Sequence, residues 1–103
     1  MLKIFSPKIV QSKVNISNEI ASPHREYLLQ AKGVMNNYLR DKKCTVSIKD
    51  CPLSDGDCLE ISALNDSKQS FSRISVLKDG EIPFLRKIYK AIEMVSKQVT
   101  KKS

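Results

Sequence analysis

Residues 44–77 read CTVSIKDCPLSDGDCLEISALNDSKQSFSRISVL, and their pattern predicts the central part of the fold. Apolar and polar residues alternate from Cys44 to Lys49, again from Leu59 to Ala63, and a third time from Phe71 to Leu77. A period of two residues is typical of a strand with one buried face. The two connecting segments are short and contain Pro, Asp, Asn and Gly, which favour turns. The stretch therefore predicts three consecutive strands that pair antiparallel.

Helical periodicity appears on both sides of these strands. Ser22 and Pro23 predict the start of the first helix, with Ser22 as its N-cap. Pro83 predicts the start of the second helix, which extends to about Val99. Apolar residues at steps of three and four give each helix one buried side. These residues are Leu28, Ala31, Met35, Tyr38 and Leu39 in the first helix and Leu85, Ile88, Ile92, Val95 and Val99 in the second.

The N-terminal segment completes the expected topology. Partial alternation within Met1–Ile16 predicts one or two short strands, interrupted near Pro7. The element order is then β-α-β-β-β-α, an α+β two-layer sandwich whose mainly antiparallel sheet carries both helices on one face. A chain of 103 residues supports one modest core, so we expect a single domain over residues 1–103 with a short basic tail at residues 100–103.

Composition argues against a membrane or exported protein. No apolar run approaches the roughly 20 residues that span a bilayer, because polar residues interrupt every stretch. Met1–Val10 carries Lys3 and Lys8 and lacks the uninterrupted hydrophobic segment of a signal peptide. We therefore expect no membrane insertion and a cytoplasmic location.

The residues that most often carry chemistry are few. Cys44, Cys51 and Cys58 are evenly spaced but match no metal-binding pattern, and a reducing cytoplasm would keep them as thiols that fill small apolar spaces. His24 is the only histidine, and nothing positions a partner for it as a general base. We predict a protein that is not an enzyme, with no catalytic residue, metal, cofactor or small-molecule substrate. A minimal ribonuclease that uses His24 stays open as an alternative.

The net charge of +7 favours a polyanionic partner. In the second helix Arg86, Lys90, Lys97 and Lys101 form a row opposite the apolar side, and the first helix adds further cations, Arg25, Lys32, Arg40, Lys42 and Lys43. Two helices on one sheet face would place these surfaces side by side, with a groove for phosphates between them. The alternative is a solvated, lysine-rich helix face, which is favourable near a helix C-terminus. The candidate RNA-binding residues are Arg25, Lys32, Arg40, Lys43, Arg86, Lys90, Lys97 and Lys101. Because the aromatic residues mostly occupy core positions, we expect recognition of RNA shape and backbone rather than base sequence.

The second helix resembles that of the short ribosome hibernation factors, also called ribosome-associated inhibitors. The similarity lies in a series of apolar residues at helical spacing that is followed by a basic residue, Gln, an apolar residue and Lys. The residues concerned are Ile88, Ile92, Val95, Lys97, Gln98, Val99 and Lys101. Arg25, Leu28, Lys32 and Met35 are similar to the family's first helix, and the order of elements is also that of the family. Two departures are Ile82-Pro83-Phe84, where the family has an acidic-Met-Tyr-like segment, and Met94, which replaces a family lysine.

The resemblance implies a function in translation. Proteins of this family bind ribosomal RNA in the tRNA and mRNA channel of the small ribosomal subunit. They block tRNA access and hold ribosomes inactive under stress.

Two other functional classes stay open. A protein-interaction module, such as a small secretion chaperone or adaptor, would dock its partner on the open face or free edge of the sheet. Its support is Leu53, Leu64 and Leu77, which face away from the predicted core, and a homodimer through an edge strand is a related expectation. Small αβββα RNA modules share three strands and two helices but lack an N-terminal strand. An ordered strand within Met1–Ile16 would therefore argue against them.

Overall fold

The computed structural model of the chain describes residues 12–52 and 55–101. Its elements are β1 (Val14–Ile16), α1 (His24–Leu39), β2 (Cys44–Asp50), β3 (Cys58–Asn65), β4 (Phe71–Leu77) and α2 (Glu81–Thr100). The predicted α+β order β-α-β-β-β-α is confirmed. Any strand within residues 1–11 lies outside the described residues. Within residues 12–52 and 55–101, no helix combines the length and the apolar character needed to cross a bilayer.

The sheet has the strand order β1-β2-β3-β4. β1 pairs parallel with β2, with Val14 opposite Val46, whereas β2, β3 and β4 pair antiparallel. The parallel pair requires a crossover connection, and α1 supplies it. The ordered strand β1 argues against the small αβββα RNA modules, which lack this element.

Both helices pack on one face of the sheet, as the sequence predicts. Their apolar sides share one core with the inward-facing residues of the strands. α1 lies next to β1, and α2 covers β3 and β4. The largest side chains in this core, all almost fully buried, are Val14, Leu28, Met35, Leu39, Val46, Ile48, Leu59, Ile61, Phe84, Ile88, Ile92 and Val95.

Some predicted details at the helix ends are wrong. α1 begins after Pro23, which occupies the N-cap position, and no side chain caps the helix, so Ser22 is not the N-cap. Tyr38 keeps 38% of its surface exposed instead of joining the buried side of α1, because it faces the groove between the helices. Thr100 belongs to α2 and its Oγ1 donates to the Ser96 carbonyl oxygen at 2.7 Å, so the expected tail does not begin there.

The two helices run in the same direction. Near their starts, His24 Nε2 donates to the carbonyl oxygen of Asp79 at 2.8 Å, just before α2 begins. Near the end of α2, Ser72 Oγ donates to Gln98 Oε1 at 2.8 Å, which places the start of β4 beside the last helical turn. Both helices therefore begin at one end of the molecule and finish at the other. This shared direction brings distant segments of the chain together at each end.

Candidate nucleic-acid interface

The groove between the two helices is mostly apolar. It is lined by Val34, Met35, Tyr38, Tyr89, Ile92 and Glu93. Among these described residues, Glu93 is the one that carries a charge, and its charge is negative. The predicted basic groove between the helices is therefore wrong.

The cations of α1 face away from α2. Arg25 Nη2 donates to Asn18 Oδ1 at 3.1 Å, in the segment that follows β1. Lys32 lies seven residues after Arg25 and therefore on the same side of the helix. Asn36, four residues further along, accepts a hydrogen bond from the backbone N–H of Lys13 at 2.8 Å, just before β1. This side of α1 is directed towards β1, so Arg25 and Lys32 do not meet the cations of α2.

The predicted row on α2 is shorter than expected. Arg86, Lys90 and Lys97 are exposed and share the side of the helix opposite its buried residues. Lys101 follows the last helical residue with extended backbone, so it does not continue the row. Lys97 Nζ lies 3.1 Å from Glu93 Oε2, and this hydrogen bond raises the pKa of Lys97. The three residues extend from the second turn of α2 to its last and do not converge.

Cations from four separate segments gather where the helices finish. We call this region the basic end, and it comprises residues 12–13, 37–44, 65–70 and 97–101. Lys13 Nζ donates to the Lys42 carbonyl oxygen at 2.9 Å, which joins the start of β1 to the α1–β2 connection. The backbone N–H of Asp66 donates to the Lys43 carbonyl oxygen at 2.9 Å, which joins the β3–β4 turn to the same connection. The basic residues at this end are Lys13, Arg40, Lys42, Lys43, Lys68, Lys97 and Lys101.

Tyr38 links the α1 and α2 portions of the basic end. Lys42 Nζ lies 4.5 Å from the centroid of the Tyr38 ring, a cation–π contact. Tyr38 is also near enough to Lys97 to influence its pKa electrostatically. The ring therefore lies near two cations that are far apart in sequence, and Lys42 covers part of its surface.

The charge balance of the basic end is the reverse of that at the opposite end. Its seven basic residues face two acidic ones, Asp41 and Asp66. We call residues 17–26, 50–52, 55–57 and 78–81 the acidic end. In these described segments two basic residues, Arg25 and Lys78, accompany seven acidic ones, Glu19, Glu26, Asp50, Asp55, Asp57, Asp79 and Glu81. Each helix C-terminus carries a partial charge of about −0.5, so two of them offset about one positive charge. The excess of five cations at the basic end is much larger than this offset.

Most cations of the basic end are available to a ligand. Lys97 is the only one of the seven in an ion pair with a residue that the structure describes. Arg40, Lys43, Lys68 and Lys101 are exposed. At the acidic end, by contrast, Lys78 Nζ lies 3.2 Å from Asp50 Oδ1, and Lys87 on α2 pairs with Asp79.

The structure divides the eight candidate residues into two groups. Arg40, Lys43, Lys97 and Lys101 lie together at the basic end, whereas Arg25, Lys32, Arg86 and Lys90 lie outside it. Lys13 and Lys68 join the first group, although each is isolated in its own segment of the sequence. Topology explains their position, because the parallel pairing of β1 with β2 and the antiparallel β3–β4 hairpin bring both back to the same end.

The candidates for chemistry occupy structural positions. His24 donates to the Asp79 carbonyl oxygen, and its ring contacts Tyr27 and Phe84 with centroid distances of 5.4 and 4.7 Å. It thereby joins the starts of α1 and α2. In the described part of the chain no group of three or more His, Cys, Asp or Glu side chains is arranged to hold a metal ion. No protein-family model, curated protein or solved structure matches this chain.

Proposed function

We propose that this protein is a non-catalytic RNA-binding protein whose basic end holds the phosphates of a structured RNA. The observation that carries the proposal is the gathering of seven cations from four segments, with an excess of five over the acidic residues present. Phosphate contacts by Lys and Arg supply most of the sequence-independent affinity of proteins for nucleic acids. Because Arg40, Lys43, Lys68 and Lys101 are exposed and form no ion pair within the described residues, they can meet phosphates without breaking one.

The form of the basic end favours recognition of backbone and shape. It consists of the ends of two helices, the ends of strands and the loop and turn that connect them, so it offers no helix or strand that could enter a groove lengthwise. Tyr38 is the exposed aromatic residue among its described members, and Lys42 covers part of the ring. Base stacking on this ring is therefore limited, whereas contacts to phosphate oxygens are not.

We propose further that the target is RNA of the small ribosomal subunit and that binding inhibits translation under stress. The support is the resemblance to ribosome hibernation factors in element order and in the second helix. Two residues of that likeness, Lys97 and Lys101, belong to the basic end. Sucrose-gradient sedimentation of a lysate tests this step, because the protein should travel with small subunits. Protein that stays at the top of the gradient while still binding RNA in vitro would refute the ribosomal target alone.

Two paired variants test where RNA binds. Arg40→Gln/Lys43→Gln removes two charges from the basic end, and Arg86→Gln/Lys90→Gln removes the same charge from the exposed side of α2. Binding of fluorescently labelled small-subunit RNA is measured by anisotropy at several salt concentrations. We expect the first variant to lose about tenfold in affinity and to reduce the slope of log K against log salt by about two, because each phosphate contact contributes about one unit. The second variant should bind within about twofold of the wild type.

The opposite ranking of the two variants would assign binding to the α2 row and refute the basic end as the site. Wild-type affinity that does not weaken between low and high salt would refute phosphate binding altogether.

The protein-interaction alternative has one observation in its favour. Phe71 and Leu77 on β4 leave 60% and 59% of their surfaces exposed, on the sheet face opposite the helices. They stand six residues apart, about 20 Å along the strand, and so do not form one continuous patch. Leu64 is half-buried opposite Phe71, and Leu53 lies outside the described residues. Co-purification of one protein without ribosomal RNA, lost in Phe71→Ser/Leu77→Ser, would favour an adaptor. Dimerisation through β4, an edge strand of the described sheet, stays a prediction.

A further inference from the structure

Two of the three cysteines face each other beside the acidic end. Cys51 directly follows β2, and Cys58 is the first residue of β3. The last register pair of these strands is Asp50 with Leu59, so Cys51 and Cys58 form the next facing pair. The backbone N–H of Cys51 donates to the Cys58 carbonyl oxygen at 3.3 Å, which confirms that the pairing continues to this position.

The side chains of this pair project to the same side of the sheet and lie close together. Facing residues of antiparallel strands project to the same side of the sheet, with Cα atoms about 4.5 to 5.5 Å apart. This separation falls within the range of about 4.4 to 6.8 Å that a disulfide requires. Cys58 lies near enough to Cys51 to influence its pKa, and Cys51 Sγ lies 3.7 Å from Ser75 Oγ on β4. The third cysteine, Cys44, is buried at the other end of β2 and cannot reach them.

The Cys51–Cys58 pair is open to small reagents. Both residues are half-buried rather than sealed in the core. A surface cleft reaches the Cys51 side chain, and Pro52, Glu60, Arg73 and Ser75 also line it. A small disulfide compound can therefore approach Cys51 without unfolding of the hairpin.

We propose that Cys51 and Cys58 are a redox modification site that closes into an intramolecular disulfide by exchange with a small disulfide such as oxidised glutathione. The thiolate of one cysteine attacks a sulfur of oxidised glutathione, forms a mixed disulfide and releases one glutathione thiol. The second cysteine then attacks the protein sulfur of the mixed disulfide and releases the second glutathione thiol. The protein loses two electrons and two protons, and one oxidised glutathione becomes two reduced molecules. In a reducing compartment both residues rest as thiols.

The surroundings of Cys51 set the pH dependence of this exchange. Burial, the hydrogen bond to Cys58 and the nearby Glu60 carboxylate raise the pKa of the Cys51 thiol above its ordinary value of 9.0, although the hydrogen bond with Ser75 acts in the opposite direction. Because the thiolate is the attacking species, exchange is slow at neutral pH and accelerates as the pH rises.

The test uses the wild-type protein in glutathione buffers of defined composition. Remaining thiols are alkylated after unfolding, and the products are measured by mass spectrometry. We expect oxidised protein to carry one alkyl group, on Cys44. Trypsin cleaves after Lys49 and Lys68, so both other cysteines fall in the peptide 50–68, which should be lighter by two hydrogen atoms. Stable glutathione adducts on Cys51 or Cys58, disulfide-linked dimers or three alkylated cysteines in every buffer would each overturn the proposal.

Matched variants and an unfolded control isolate the contribution of the fold. Cys44→Ala should form the disulfide as the wild type does, whereas Cys51→Ser and Cys58→Ser should not. The measured quantity is the ratio of the squared concentration of reduced glutathione to the concentration of oxidised glutathione at which half of the protein is oxidised. This ratio should be roughly tenfold or more higher for the native protein than for the urea-unfolded chain, because the hairpin already holds the thiols together. Equal values in the two states would overturn the proposal. The RNA titration is separate from this test, because the pair lies at the end opposite the proposed RNA site.

Discussion

The two ends of the molecule differ in the sign of their charge and in the contacts that their charged residues make. At the acidic end Lys78 pairs with Asp50, and His24 links the start of α1 to the residue before Gly80. At the basic end the exposed cations Arg40, Lys43 and Lys68 form no ion pair with any residue that the structure describes. Paired charges contribute to the fold, whereas like charges left unpaired repel one another. Contacts near the acidic end join the starts of the two helices, whereas the basic end leaves exposed cations, which are the basis of the proposed RNA site.

Substitution of Phe84 tests whether the contacts at the starts of the helices stabilise the fold. Its side chain is fully buried at the start of α2, where its ring packs against His24 at a centroid distance of 4.7 Å. We expect Phe84→Ala to lower the free energy of unfolding by about 3 to 5 kcal/mol, since it removes a large buried ring and leaves a cavity. Urea unfolding followed by circular dichroism measures this change. Phe71→Ala, which truncates an exposed ring, is the matched control and should cost less than about 1 kcal/mol. Equal losses in the two variants would show that the contacts at the starts of the helices do not stabilise the fold.

The ion pairs at the two ends should differ in their contribution to the free energy of unfolding. Lys78 Nζ and Asp50 Oδ1 are 3.2 Å apart, and the Lys78 side chain is mostly buried. Lys78→Met leaves the Asp50 carboxylate half-buried without this partner, so we expect a loss of about 1 to 3 kcal/mol in the free energy of unfolding. Lys97→Met at the basic end breaks an exposed pair with Glu93 and should leave stability unchanged within the error of a urea titration. A larger loss in Lys97→Met than in Lys78→Met would contradict this expectation.

The smallest predicted effect concerns the buried thiol of the basic end. Burial raises the pKa of Cys44 above its ordinary value of 9.0, although Lys13 and Lys42 act in the opposite direction. The folded state holds this proton more tightly than the unfolded chain does. The protonated thiol therefore contributes fully to the free energy of unfolding below about pH 9, and this contribution is lost as the pH rises through the pKa of the folded state. As the pH rises above about 9, we expect the free energy of unfolding to fall more steeply in the wild type than in Cys44→Ala. The difference is at most about 1.4 kcal/mol per pH unit. Parallel pH profiles would show that Cys44 is not the titrating group, since Cys51 is present in both proteins.

Local patterns predicted the elements well because side-chain alternation and helical periodicity act over a few residues. The strands around Val46, Ile61 and Val76 and the buried sides of both helices appear as expected. The error at Ser22 has a local cause, since Pro23 occupies the cap position itself. The candidate site was harder to predict. Arg40, Lys43, Lys97 and Lys101 were identified as cations on helices, but their grouping with Lys13 and Lys68 depends on strand pairing between distant segments.

The amino-acid sequence by itself determined the order of elements, the buried side of each helix and the excess of positive charge. These properties follow from the periodicity of neighbouring residues and from composition. Tertiary structure alone decided that the helix cations face different directions, that the groove between the helices is apolar and that Cys51 lies against Cys58. It also decided that cations from four segments share one end of the molecule. The physical reason is that the rotation of each helix about its axis and the end of the sheet at which each connection lies are fixed by packing and strand pairing, which a local pattern does not encode.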